Sequence, residues 1–157
     1  MRRRANPAPR RTIALVGLMG VGKSSVGRRL ANRLKLPFAD ADVEIEAAAG
    51  MTISEIFASM GEAEFRAGEV RVMKRLLEGP PLVLATGGGI VSEALTFDLI
   101  LSSFYTIWLK AEPEEHMARV RRQGDLRPMA DDRSAMAELR NILVSREPLY
   151  ARASAVV

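Results

Sequence analysis

The sequence predicts a three-layer α/β/α fold built on one parallel five-stranded sheet, and three observations carry that expectation. Short apolar runs alternate with helical patterns along the chain, which requires crossover connections and helices on both faces of a sheet. The first run, Ile13-Ala14-Leu15-Val16, opens into the glycine loop Gly17-Leu18-Met19-Gly20-Val21-Gly22-Lys23-Ser24, and that loop opens into a helix. The chain has 157 residues, 48% of them apolar, which suits one buried core. No apolar run approaches the ~20 residues of a membrane span.

The elements follow in order. Residues 12–16 form the first strand, and Val26, Leu30, Ala31 and Leu34 give 23–34 a helical stripe. After Lys35-Leu36-Pro37 comes a short second strand, 37–41. Helices are expected over 42–49, ended by Gly50, and over 53–60, ended by Gly61. Thr52 with Glu55 three places on resembles a capping box. Phe65, Val70, Met73, Leu76 and Leu77 give 64–77 one buried face, and Gly79-Pro80-Pro81 stops it. The third strand, 82–85, enters Gly87-Gly88-Gly89. A helix over 91–101, a strand over 105–109 and a helix over 113–122 come next. Residues 123–132 are polar and rich in Arg and Asp, as expected of a mobile lid. A helix over 133–146 and a last strand from Ala155 complete the fold.

Charge and composition narrow the function. The net charge is +4, but Arg2, Arg3, Arg4, Arg10 and Arg11 lie in a proline-containing leader. The rest of the chain carries 18 basic and 19 acidic residues, a net of −1, which does not suit a nucleic-acid-binding domain. Residues 1–11 read as a disordered basic leader, and 12–157 as a single domain. With no cysteine and His116 as the only histidine, thiolate and histidine-clustered metal sites are excluded. Oxygen-ligated Mg²⁺ is the natural metal.

A G-x-x-x-x-G-K-S loop between a strand and a helix is a nucleotide-phosphate cradle, and it makes the fold a P-loop NTPase type. Glycines let several N–H groups face one point, where the helix N-terminus adds partial positive charge. Lys23 reaches the β/γ-phosphates and Ser24 ligates Mg²⁺. The third strand lacks the acid that usually ends it in such proteins, so the metal-supporting carboxylate is expected from Asp40. In Phe38-Ala39-Asp40-Ala41-Asp42, strand alternation would put both carboxylates on one side. The alternative is that Asp42 simply caps the helix that follows. Three glycines at a strand end let backbone approach a ligand closely.

These segments, together with Gly61-Glu62-Ala63-Glu64-Phe65-Arg66, Arg127-Pro128 and Arg146-Glu147-Pro148-Leu149-Tyr150, appear in the order found in bacterial shikimate kinases, which the chain resembles from about Thr12 to Val157. The resemblance implies ATP-dependent phosphorylation of the 3-hydroxyl of shikimate, in aromatic amino-acid biosynthesis. It implies ATP contacts at Gly20, Val21, Gly22, Lys23, Ser24, Ser25 and Arg127, and metal contacts at Ser24 and Asp40. Shikimate would be held by Asp42, Arg66, Gly87, Gly88, Gly89 and Arg146, with Glu69 orienting the arginines. Lys23, Asp42 and Arg127 would be catalytic, and Arg121 or Arg122 would lie on adenine. A cytoplasmic monomer without nucleic-acid or membrane partners is expected. The family normally continues past the last strand with an adenine-contacting loop and a helix, so apolar surface is expected near Val157.

The chemistry of these assignments agrees with the residue types. A carboxylate favours the bidentate fork of arginine, as Arg66 and Arg146 offer, unless these merely pair with Glu62, Glu69 or Glu147 on the surface. A hydroxyl needs an acceptor, and Asp42 supplies one. Gluconate and adenylate kinases share the phosphate loop but not the Asp40/Asp42, Phe65-Arg66 and triple-glycine set. A GTPase would show N-K-x-D and D-x-x-G segments, which are absent. A non-catalytic binding module would not need Lys23, Ser24, Asp40, Asp42 and Arg127 together. Trp108 is expected in the core and His116 on a solvated face.

Overall fold

All four residues of β1 (Ile13–Val16) are buried, as a strand covered on both faces requires. The structure is a computed structural model and describes residues 11–18, 21–112, 114–115, 118 and 132–157. After β1 come α1 (Lys23–Leu34), β2 (Phe38–Asp40), α2 (Ala41–Ala49), α3 (Ile53–Glu78) and β3 (Val83–Ala85). A 3-10 turn (Ile90–Ser92), α4 (Ala94–Ser103), β4 (Tyr105–Trp108), α5 (Asp132–Tyr150) and β5 (Ala155–Val156) follow. The strands form one parallel sheet in the order β2-β3-β1-β4-β5, the P-loop NTPase-type arrangement the sequence predicts.

The main core joins the strands to α4 and α5 through residues such as Leu15, Leu84, Phe97, Ile100 and Tyr150. A second cluster of Ile45, Ile56, Phe65 and Val72 packs α2 against α3 and so fixes the helix that carries Arg66. Arg75 reinforces this contact with an ion pair to Glu44 at 2.6 Å.

Local signals account for most boundaries. Thr52 Oγ1 accepts from the Glu55 N–H at 3.2 Å and starts α3. Gly50, at φ +68°, ends α2. The helices expected over 53–60 and 64–77 are both present and meet at a kink at Gly61, where φ is +83° and the backbone leaves helical geometry. Glycine takes that conformation without a Cβ penalty, so the break between the two helices is confined to it. The second strand stops at Asp40, one residue short of the expected 41, because Asp40 begins capping α2. The expected helix over 91–101 divides into the 3-10 turn and α4.

α5 runs past Arg146 and Pro148 to Tyr150. The proline removes one backbone donor. Burial of Tyr150 against Trp108, with ring centroids 5.4 Å apart, keeps the last turn in place. Trp108 is therefore in the core, as expected. Val144, Val156 and Val157 are exposed apolar side chains. The helix over 113–122 falls almost wholly outside the described residues, and so do leader residues 1–10 and lid residues 123–131.

Gly17 marks the tightest backbone approach beneath the site. A Cβ there would stand 2.8 Å from the Leu109 carbonyl oxygen and 3.1 Å from Val21 Cγ2. Gly17→Ala is expected to destabilise the fold by about 1–3 kcal/mol, as overpacking against fixed backbone does. A lower urea midpoint at unchanged m-value would show it.

Candidate active site

The carboxyl edge of the sheet gathers the loop after β1, the end of β2 and the turn after β3, and α3 and α5 lie beside them. Open parallel sheets bind ligands at this edge. Gly22, at φ +96°, is the N-cap of α1 and offers no side-chain bond, and the first turn contains no acid. The opening amides of α1, from Lys23, Ser24 and Ser25, therefore lack intrahelical acceptors and sit at the positive end of the helix dipole. That is an anion site by construction. Val21 is buried beneath it.

Lys23 is only 8% exposed. Its Nζ donates to the carbonyl oxygens of Gly17 at 2.6 Å and Leu18 at 2.9 Å. Burial lowers its pKa to about 8; Asp42 and Asp40 oppose that shift and Arg146 adds to it.

Ser24 Oγ donates to Asp40 Oδ2 at 2.8 Å. The other carboxylate oxygen of Asp40 accepts from the N–H groups of Asp42 at 2.9 Å and Val43 at 3.4 Å. The cap of α2 therefore belongs to Asp40 and not to Asp42. Asp42 does not continue the strand beside Asp40, because the chain has already turned into a helix. Its carboxylate instead lies against Gly87, with Oδ1 3.0 Å from where a Cβ would be. Burial raises its pKa, with Asp40 adding to the rise and Lys23 opposing it.

The triple glycine makes room for side chains, not for unusual backbone angles, since none of Gly87, Gly88 and Gly89 has positive φ. Asp42 occupies the space at Gly87, and Arg66 Nη2 lies 3.1 Å from the Cβ position of Gly89. Arg146 Nη1 donates to the Gly88 carbonyl at 3.0 Å. Both arginines thus converge on one turn, opposite Asp42.

Arg66 is bound by acids from two elements. Its Nη1 donates to Glu69 at 3.2 Å, and its Nε lies 3.4 Å from Glu93 and 3.8 Å from Glu62. Glu69 is 2% exposed, and burial raises its pKa while Arg66 restrains the rise. Glu147 pairs with Lys110 at 3.3 Å and not with an arginine among the described contacts. Sequence reasoning missed Ser92, whose Oγ is 3.5 Å from Arg146 Nη2, and Glu93. The available signal was their position directly behind the triple glycine.

Gly20, Arg127, Arg121, Arg122 and His116 lie outside the described residues. Among the described residues no group of three or more His, Cys, Asp or Glu could hold a metal, and no helix is long and apolar enough to cross a membrane. The oxygen pair Ser24 and Asp40 suits a hard cation that takes its remaining ligands from phosphate and water.

Comparison with known proteins points to one family. The family model for shikimate kinase matches residues 19–157. The shikimate kinase of Bradyrhizobium diazoefficiens is 53% identical over 147 residues, covering 94% of this chain and 70% of that protein. The Caulobacter vibrioides shikimate kinase is 55% identical over 147 residues, covering 94% of this chain and 73% of its own. The structure of shikimate kinase from Acinetobacter baumannii in complex with shikimate superposes with a TM-score of 0.81 at 36% identity, over 96% of this chain and 84% of that one.

The depressed pKa of Lys23 has a testable consequence. A bound triphosphate favours the ammonium form, so binding between pH 8 and 9 should take up protons. Calorimetry of nucleotide binding in buffers of different ionisation enthalpy should show this uptake, with affinity falling as pH rises above about 8. Lys23→Met should abolish the uptake.

Proposed function

Because this chain belongs to the shikimate kinase family, we propose a division of labour for the residues at the sheet's carboxyl edge. The chain transfers the γ-phosphoryl group of ATP to the 3-hydroxyl of shikimate, giving shikimate 3-phosphate and ADP in the route to chorismate and the aromatic amino acids. Convergence of Arg66 and Arg146 on the turn at 87–89, opposite Asp42, is the observation that carries the assignment.

Gly20, Val21, Gly22, Lys23, Ser24 and Ser25 hold the phosphates of ATP through backbone amides and the Lys23 ammonium. Mg²⁺ fits the oxygen donors present, and Ser24 and Asp40 would hold it. When bound, the ion neutralises charge on the phosphate oxygens. Arg66 and Arg146 fork onto the shikimate carboxylate, and the backbone of Gly87, Gly88 and Gly89 lines the site.

Asp42 accepts the proton of the 3-hydroxyl as its oxygen bonds to the γ-phosphorus and the bond to the β-bridging oxygen breaks. A raised pKa makes Asp42 a better proton acceptor than an ordinary aspartate. Lys23 stabilises the charge that develops on the transferring group, and Arg127 joins it from the segment at 123–132 acting as a lid. Arg121 or Arg122 packs on adenine. We assign residues 12–157 to one kinase domain, 1–11 to a basic leader with no catalytic role, and the working state to a cytoplasmic monomer.

ADP release with ATP and Mg²⁺ should depend strongly on shikimate. Absence of that dependence, with shikimate still bound, would sink the assignment of the site. Asp42→Asn should lower kcat by about 10²–10⁴-fold, the range of a lost general base. Arg127→Ala should lower it by about 10³-fold or more.

Neither variant should unfold. The folded state disfavours ionised Asp42, so Asp42→Asn should melt no lower than the parent at pH 7. That advantage should shrink as pH falls through the raised pKa and vanish near the unfolded value of 3.8, where both carry a neutral side chain.

A further inference from the structure

Tyr150 follows Arg146 by one helical turn on α5, so the two side chains share a face. Tyr150 is 1% exposed, and its hydroxyl oxygen is buried with no hydrogen-bond partner in the structure. A buried phenol normally finds a partner, which makes this one unusual. Its ring has no freedom to seek one elsewhere, because it stacks on Trp108 at 5.4 Å with the planes 20° apart. Trp108 is in turn fixed by β4 pairing to β1 and β5. Burial raises the phenol's pKa, and Arg146 opposes the rise through its charge and a hydrogen-bond-like approach, so the guanidinium is near the hydroxyl although no bond of good geometry has formed. The polar atom therefore waits beside a guanidinium whose own bonds run to Gly88 at 3.0 Å and, more loosely, to Ser92 at 3.5 Å.

We propose that Tyr150 is a positioning residue for Arg146, whose hydroxyl oxygen accepts a guanidinium N–H when the fork closes on the shikimate carboxylate. The inference rests on Arg146 being a shikimate-binding arginine. Because no bond of good geometry has formed in the free protein, removing the hydroxyl costs the free fold little. What is lost is an interaction completed in the complex, so the effect belongs in substrate affinity more than in stability.

The test compares Tyr150→Phe, Arg146→Lys and the double variant by steady-state kinetics, shikimate calorimetry and thermal melting. Tyr150→Phe should raise the KM and Kd for shikimate about 10–150-fold, the range equivalent to one hydrogen bond to a charged group. The KM for ATP and kcat should stay within about twofold and Tm should hold or rise. In the Arg146→Lys background the same change should add less than about twofold, since the two act as one unit.

Unchanged shikimate affinity in Tyr150→Phe would overturn the proposal. So would a lowered Tm with ATP and shikimate parameters moving together, or full additivity in the double variant. The reading of Arg146 itself is tested separately: it fails if Arg146→Lys leaves shikimate affinity untouched.

Discussion

The buried ammonium of Lys23 is the constraint around which the site is arranged. It lies beneath a helix N-terminus and is bonded to two loop carbonyls, Gly17 and Leu18. A charge so placed is costly unless opposite charge is near. Asp42 and Asp40 supply it, yet each also has a fixed bond or contact of its own, to Gly87 or to Ser24. The lysine thus feels the end of β2 through Asp40 and the glycine turn after β3 through Asp42.

The acceptor side has the opposite charge problem. Arg66 is a single cation among Glu62, Glu69 and Glu93, with Asp42 also close enough to be felt. Such a cluster is tolerable because Glu69 is buried and held by the guanidinium, while Glu62 and Glu93 keep contact with solvent. Solvent screening makes the outer two pairs weak. The arginine is consequently aimed by one strong partner and trimmed by two weak ones, and it keeps Nη2 directed at the glycine turn. Kinases of this type work by positioning more than by covalent chemistry, and here the positioning rests chiefly on the one buried acid, Glu69, behind the arginine.

Much of this was legible in the residues. The phosphate loop follows from a local pattern in which strand, glycines, lysine and helix are contiguous, and Thr52, Gly50 and Gly61 mark helix ends through short-range bonding or backbone freedom. Asp40 beside Ser24 could be anticipated because the third strand ends without an acid. The role of Asp42 could not be separated from that of Asp40 by alternation, since capping ends the strand between them. Whether the triple glycine serves turn geometry or side-chain clearance was also hidden. That depends on Asp42 and Arg66 arriving from helices far along the chain.

The sequence alone determined the alternation of strands and helices, the phosphate cradle and the chemical types at the acceptor site, because each is written in neighbouring residues. Only the tertiary structure decided which acids face Arg66, that Ser92 and the Gly88 carbonyl hold Arg146, and that Tyr150 sits beneath it with its hydroxyl unpartnered. The contacts of Glu93 with Arg66 and of Gly88 and Ser92 with Arg146 join segments about 25 to 60 residues apart, and they exist only once the parallel sheet brings its carboxyl ends together.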